Sequence, residues 1–472
     1  MGTGSGRVRV IGREAAGRLL AGEPLERVID PADPAAWTAL DVGVRTLRCS
    51  GYEELRILER ETAARPETAL CHGDGRVRQR ALAAVCDDRR LLPLAVIRCA
   101  DWAAPVRDRA RRIVRAALDT DPTATLLALT PLALRLAERE QGTWTAELFT
   151  RALDASPDGL LDALRRSPDT RTRRLAGRIL LERGRFGVRE LARQAVDESD
   201  PVMRRLWTDA ALAALATRGP DDHAVDVLLG ARAGQVRAAG VTALRGAGRA
   251  DEAALHLTDR SGTVRACARW LLRQDGGDPH HRYRALREDR AGVRPAAVLG
   301  LAECGSAEDK ALVLGLLEHP SGEVRAAAVS ALRHLGSAPV AAVEPLLDDP
   351  SPSVVREAAR LLVPWADRIP AERLTALTAG GRPAPARRAG FRLLCAQGGL
   401  PWLRVAVALL DDEDPRLRRW AGQRIQLLWS PYGAPALPAG DPEVGVLLGR
   451  CTALFSDYVL RTMCSRLGIP RP

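Results

Sequence analysis

The stretch KALVLGLLEHPSGEVRAAAVSALRHLG, residues 310–336, followed by AAVEPLLDDPSPSVVREAARLL, residues 341–362, decides the fold. Each phrase reads as a short apolar helix, a tight turn and a longer helix. In the first phrase the opening helix is expected to end at Glu318, the turn to cover His319 to Gly322, and the second helix to run from Glu323 to about Leu335. Neither helix can bury its apolar face alone, so stacking of successive pairs has to supply the core.

Working outward from Val324 and Val354, the same phrase recurs with anchors at Val77, Val106, Thr172, Met203, Val236, Val264, Val293, Val324, Val354, Ala386 and Leu417. The spacing is 28 to 33 residues apart from one gap of 66. Such a period fits one helix pair per unit. Four residues after the anchor every unit has Ala or Gly except one, which has Trp207, and eight residues after it stand mostly Leu, Ile or Val. Positions 0, 4 and 8 therefore form one apolar stripe, with a small residue in its middle that lets helices approach closely. Three residues before the anchor lie Asp74, Asp169, Asp200, Ser261, Ser321, Ser351 and Asp414, all expected as N-caps, with Pro201, Pro352 and Pro415 next at the first helical position.

Only 4% of the 472 residues are aromatic and 46% are hydrophobic, which favours thin helical layers over a sheet-based core. The formal charge is +11, but Lys310 is the sole lysine, so an arginine bias from GC-rich coding accounts for part of the surplus. The nine cysteines, among them Cys49, Cys71, Cys86, Cys267 and Cys451, form no C-x-x-C pair and have no His at zinc-ligand spacing. No signal-peptide core and no run of about eighteen apolar residues is present, and a cytoplasmic location without membrane association is expected.

The phrases DPSPSVVREAARLL, SGEVRAAAVSALRHLG and DEDPRLRRWAGQRI resemble bacterial HEAT-like repeats of the phycobilisome-lyase type, across about residues 70 to 430. The resemblance implies an all-α, right-handed α-solenoid of about eleven or twelve helix-pair repeats, and mostly protein-binding scaffolds rather than enzymes. Residues 1–66 read as a divergent helical cap, including YEELRILERETAA, and 67–429 as the repeat array. The Pro/Gly-rich stretch at 430–442 reads as a linker, and 443–472 as one C-terminal capping helix. The segment from Thr125 to Leu153 is long enough for about one degenerate unit inside the long gap.

One residue after the anchor stands Arg78, Arg107, Arg173, Arg204, Arg237, Arg265, Arg294, Arg325, Arg387 or Arg418, with Val355 the exception. The column reads as a structural ladder, each guanidinium bridging to carboxylates or carbonyls of inter-helix turns, with Asp200, Asp259, Asp349 and Asp414 as acceptors. Positions two and six after the anchor face away from the stripe. There Arg174 and Arg178, Arg356 and Arg360, and Arg388 and Arg392 form like-charge pairs one turn apart, and Arg419 continues the series. Such pairs cost an isolated helix a few tenths of a kcal/mol, which an anionic partner offsets. Trp270, six residues after its anchor, is the aromatic side chain expected to be exposed for binding.

No phosphate loop, no H-E-x-x-H and no Ser, His and Asp set can be assigned, and His280 and His281 read as a surface loop. The expectation is a non-catalytic scaffold that takes no cofactor and presents Arg174, Arg178, Trp270, Arg356, Arg360, Arg388, Arg392 and Arg419 to a protein partner with an acidic segment. The alternative is a nucleic-acid-binding solenoid. Helical-repeat DNA glycosylases share the fold class, but no Trp, Asp and Arg pocket matches them residue by residue. Iron-dependent hydroxylases on related repeats need His-Glu dipeptides, which are absent, and bilin-lyase activity has no assignable residue.

Overall fold

The computed structural model describes residues 3–47, 60–287, 292–305, 308–336, 339–429 and 437–469. Cys49, most of YEELRILERETAA and the first half of the 430–442 stretch lie outside them. Every regular element among the described residues is an α-helix or a short 3-10 helix. The chain divides into two compact units, Met1–Leu228 and Leu229–Pro472.

The second unit contains the phrases on which the repeat was read. The opening helix of the first is Asp309–Gly315, and it tightens into a 3-10 turn at Leu316–Glu318. The second helix is Gly322–His334. Val324, Ala328 and Leu332 are buried, as are Val354, Ala358 and Leu362 in the Pro352–Leu362 helix and Leu417, Ala421 and Ile425 in Pro415–Gln426. Gly322–His334 packs on Pro295–Cys304 on one side and Pro352–Leu362 on the other, and Pro352–Leu362 packs in turn on Ala384–Gln397. Second helices thus lie against second helices along the stack, while the stripe's glycines, Gly240 and Gly390, face the first helix of their own pair.

The small residue in the stripe has a physical reason. A Cβ on Gly390 would stand 2.7 Å from the Leu374 carbonyl oxygen and 2.8 Å from the Leu377 Cβ, so the two helices of that pair meet where a side chain would keep them apart. In the first unit Trp207 breaks the rule and is fully buried. Its ring meets Phe186 edge-on at 5.1 Å, and Gly177 supplies the missing space, since a Cβ there would come within 2.5 Å of the Met203 Cε.

The N-caps divide by residue type. The side chains of Asp74, Asp169, Asp200 and Asp414 accept backbone N–H groups of their helices at 2.8 Å, as the sequence predicts. Ser261, Ser321 and Ser351 occupy the N-cap position but make no side-chain cap bond. Their smallness is used instead. A Cβ on Gly322 would lie 2.7 Å from the Cβ of Ser351 in the next turn, and one on Gly234 2.9 Å from that of Ser261. Inter-helix turns therefore stack in direct contact.

Inside the long gap of the first unit, Pro122–Leu136 and Thr143–Asp154 form one helix pair packed together, so the degenerate unit lacks the anchor phrase but keeps the architecture. Thr3–Leu20 and Pro34–Arg45 pack on each other at the start of the same unit. The expected single C-terminal helix is two helices, Pro442–Gly449 and Asp457–Arg466, because Gly449 ends the first and Ser456 starts the second as its N-cap residue.

Candidate partner-binding faces

The arginine column forms a ladder with a fixed geometry. Seven of its guanidiniums donate to two carbonyls of the turn that precedes their own helix, five and six residues back, while Arg265 donates to one, of Asp259, and Arg387 to the Thr378 carbonyl nine residues back. Arg78 donates to His72 and Gly73 at 2.7 and 2.8 Å, Arg204 to Glu198 and Ser199 at 2.8 and 3.0 Å, and Arg325 to His319 and Pro320 at 2.7 and 3.0 Å. Arg107, Arg173, Arg237 and Arg418 repeat the pattern. Arg294 is exposed, with no partner among the described residues.

The remaining nitrogens of four of these arginines reach the next turn. Arg78 pairs with Asp101, Arg237 with Asp259, Arg325 with Asp349 and Arg387 with Asp412. Every one of these aspartates stands five residues before the following anchor and also accepts the backbone N–H two residues on. One carboxylate thus shapes its own turn and receives the guanidinium of the previous repeat. Arg265 turns to Glu303 instead, which Arg269 also contacts.

Asp200 and Asp414 were expected in this column and serve a second one. They stand three residues before their anchors and pair with arginines two residues after the previous anchor. Arg174 Nε lies 2.8 Å from Asp200, and Arg388 Nη2 lies 2.9 Å from Asp414. The Arg174 hydrogen bond, aided by backbone donors, holds the Asp200 carboxyl below the usual carboxylate range, and Arg388 acts likewise on Asp414. Two of the eight candidate site residues are therefore held by the N-cap aspartates of neighbouring turns.

The other candidates are differently placed. In the first unit Arg178 is exposed and has no hydrogen-bond or ion-pair partner among the described residues. In the second unit Arg356 and Arg360 are exposed on either side of Glu357, which accepts from Arg360 at 2.7 Å and lies 3.6 Å from Arg356. Exposed Arg392 lies over the ring of half-buried Trp420 at 5.8 Å, and that ring packs edge-on against Phe391 at 4.8 Å. Arg419 is exposed and without a partner among the described residues. Trp270 is 44% exposed, with the Arg245 guanidinium 5.6 Å from its ring.

Sequence reasoning missed a buried ionic cluster in the first unit. Asp41 and Asp101, both almost fully buried, are held by Arg78, Arg98, Arg45 and Arg139. Burial opposes ionisation of Asp41, but the guanidiniums of Arg98, Arg45 and Arg139 outweigh it and keep its carboxyl below the ordinary value. No periodic signal marks Asp41 or Arg98, which lie 57 residues apart. His280, read as part of a surface loop, opens the Pro279–Arg287 helix, and its Nε2 lies 2.7 Å from buried Asp309.

Among the described residues no group of three or more His, Cys, Asp and Glu side chains is arranged to hold a metal ion, and no helix is long and apolar enough to cross a membrane. Cys71 and Cys99 are fully buried, and burial pushes both thiols up to about 12. Residues 279–363 match the family described as HEAT repeats. That stretch holds the Gly322–His334 and Pro352–Leu362 helices and the Arg325–Asp349 bridge. No curated protein matches the chain. The fold is all-α and built from HEAT-type helix pairs, an arrangement that generally serves as an interaction scaffold.

Proposed function

We propose that the protein is a non-catalytic binding scaffold whose second unit presents Arg356, Arg360, Arg392 and Arg419 to an acidic segment of a protein partner. The observation that carries this reading is the contrast between two sets of arginines. Ladder arginines other than Arg294, with Arg174 and Arg388, spend donors within the protein, on turns and neighbouring carboxylates. The four at 356, 360, 392 and 419 stand exposed on successive second helices, with Glu357 the one carboxylate among the described residues to meet any of them. An arginine offers a planar fork that takes carboxylates bidentately, and an acidic segment with an apolar residue also finds Trp420 beside Arg392. Arg178 in the first unit and Trp270 in the second are secondary contacts in this reading. The narrower likeness to phycobilisome-lyase-type repeats bears on the turn phrase and carries no activity.

The test is a pull-down from nuclease-treated native lysate with wild type and with Arg356→Glu/Arg360→Glu/Arg392→Glu/Arg419→Glu, together with titration of a fluorescent glutamate-rich peptide. A partner protein lost from the folded variant, with parallel loss of the peptide, supports the scaffold. Retention of both in the variant rejects this face. Binding that vanishes with nuclease, and whose logarithm falls steeply and linearly with log salt on DNA, replaces the scaffold by a nucleic-acid-binding repeat protein.

A further inference from the structure

A cleft of about 380 Å³ in the first unit lies between the Leu25–Val28 and Pro34–Arg45 helices on one side and Pro122–Leu136 on the other. A second cleft of about 430 Å³ adjoins it at Arg89 and Leu92, which line both, against the Ala104–Thr120 helix. The two lie side by side along one groove lined by those shared residues. Its walls are apolar: Leu25, Trp37, Pro93 and Leu129 in the first part, and Val85 and Ile113 in the second.

The polar side chains along the groove are almost all occupied. Trp37 Nε1 donates to the Pro31 carbonyl at 2.9 Å, Thr125 to Ala117 at 3.1 Å and Thr120 to Ala116 at 2.7 Å, and Glu26 pairs with Arg90 at 2.7 Å. Two cations are left. Arg89 and Arg112 are exposed, line the second part, and have no hydrogen-bond or ion-pair partner among the described residues. A peptide, sugar or base laid in the groove brings donors and acceptors that these walls cannot satisfy, and an unsatisfied polar group in an apolar site is costly. An alkyl chain brings none. A single carboxylate at its end matches the two free guanidiniums, whose planar forks suit that group. The volume is in the range of small-molecule sites, about 300 to 1,000 Å³.

We propose that this groove binds a long-chain fatty acid, with the alkyl chain between Trp37 and Leu129 and the carboxylate at Arg89 and Arg112. Affinity then rises by about fourfold for each methylene added until the apolar part is full. Cys86, which lines the second part and is the exposed thiol among the described cysteines, reports occupancy.

The experiment is calorimetric titration of the full chain with palmitate below its aggregation threshold, with the rate of Cys86 modification by an aromatic disulfide measured in parallel and Cys86→Ser as its control. Saturable one-to-one binding that slows Cys86 modification is expected. Ala128→Phe fills the apolar part from an exposed helix face and lowers affinity about tenfold or more, with an unchanged melting curve. Arg89→Ala/Arg112→Ala weakens palmitate by roughly ten- to a hundredfold and leaves hexadecanol unaffected. The proposal is overturned by absent saturable binding, by palmitate affinity that survives Ala128→Phe, or by equal binding of palmitate in the double alanine variant. Cosedimentation with phosphatidylglycerol vesicles that is indifferent to Ala128→Phe also overturns it, in favour of a lipid surface.

Discussion

Arg325 and Asp349, twenty-four positions apart, meet through two hydrogen bonds of 2.8 Å, Nε to one carboxylate oxygen and Nη2 to the other. The third donor of the same guanidinium, Nη1, holds two carbonyls of the turn that starts its own helix. A single side chain therefore ties turn to turn along the stack. Replacing it removes both functions, whereas removing Asp349 leaves a half-buried guanidinium with its intra-turn bonds intact. Arg325→Met is expected to cost about 2–3 kcal/mol of unfolding free energy, and Asp349→Ala somewhat less. The double variant should cost less than the sum of the singles, with a coupling of about 1 kcal/mol or more. Denaturant melts of the four proteins measure this, and strictly additive losses would mean the bridge is an idle contact.

The fold was legible because the period is carried by residue types that helices and turns select directly: a cap, an anchor, a small residue and a second apolar residue at fixed offsets. The ladder was half legible. Its donors form a visible column, and the acceptors Asp259 and Asp349 are legible with it, but Asp101 and Asp412, which also stand five residues before the next anchor, are not, since Asp200 and Asp414, three before their anchors, look alike in sequence and serve as helix caps instead. The offset between donor and acceptor follows from how consecutive turns stack, which no single repeat reveals. Asp41 and Arg98 were illegible, since their meeting depends on packing of irregular helices at the start of the chain. The same holds for the groove at Arg89, whose walls come from four separate segments.

Asp41 and Asp101 make the first unit sensitive to acid. Both carboxyls are held below their ordinary range, because the surrounding guanidiniums outweigh the effect of burial. A carboxyl whose folded value is depressed contributes stability that is fully present above its unfolded value, near pH 4, and is lost as pH falls through the folded value. Thermal melts from pH 7 down to pH 2 should therefore be level at first and drop steeply below about pH 4. Asp101→Asn leaves Arg78 and Arg98 facing a neutral group in a buried site and should cost about 3–5 kcal/mol at pH 7. It should also flatten the acid limb. An acid limb in Asp101→Asn as steep as that of wild type would remove these carboxylates as its cause.

Gly390 and Gly315 both lie in helices, and alanine should act on them in opposite directions. At Gly390 a Cβ meets the Leu374 carbonyl at 2.7 Å, backbone that can yield only by separating the helix pair. Nothing lies within 4 Å of the corresponding point on Gly315. Gly390→Ala should destabilise by about 1–3 kcal/mol, while Gly315→Ala should be neutral or stabilise by up to about 1 kcal/mol through the unfolded chain's lost freedom. Equal effects on the two melting curves would contradict the close approach that the 0, 4, 8 stripe depends on.

The arginines two residues after the anchors should separate into two classes by stability alone. Arg174 and Arg388 each hold the N-cap aspartate of the following repeat's second helix, so charge reversal sets two carboxylates against one another at a helix start. Arg174→Glu should cost about 1–2 kcal/mol, because Asp200 is almost fully buried and must keep capping its helix with its pairing charge gone. Arg419→Glu removes an exposed cation that meets no carboxylate among the described residues, and should stay within about 0.5 kcal/mol of wild type. Arg356→Glu should also stay small, since its contact with Glu357 is long, at 3.6 Å, and its own side chain is largely exposed. Chemical denaturation of the single variants distinguishes the classes. If Arg419→Glu and Arg356→Glu proved as destabilising as Arg174→Glu, these side chains would belong to the scaffold's own framework, and loss of a partner in the charge-reversed variant could no longer be read as loss of a binding face.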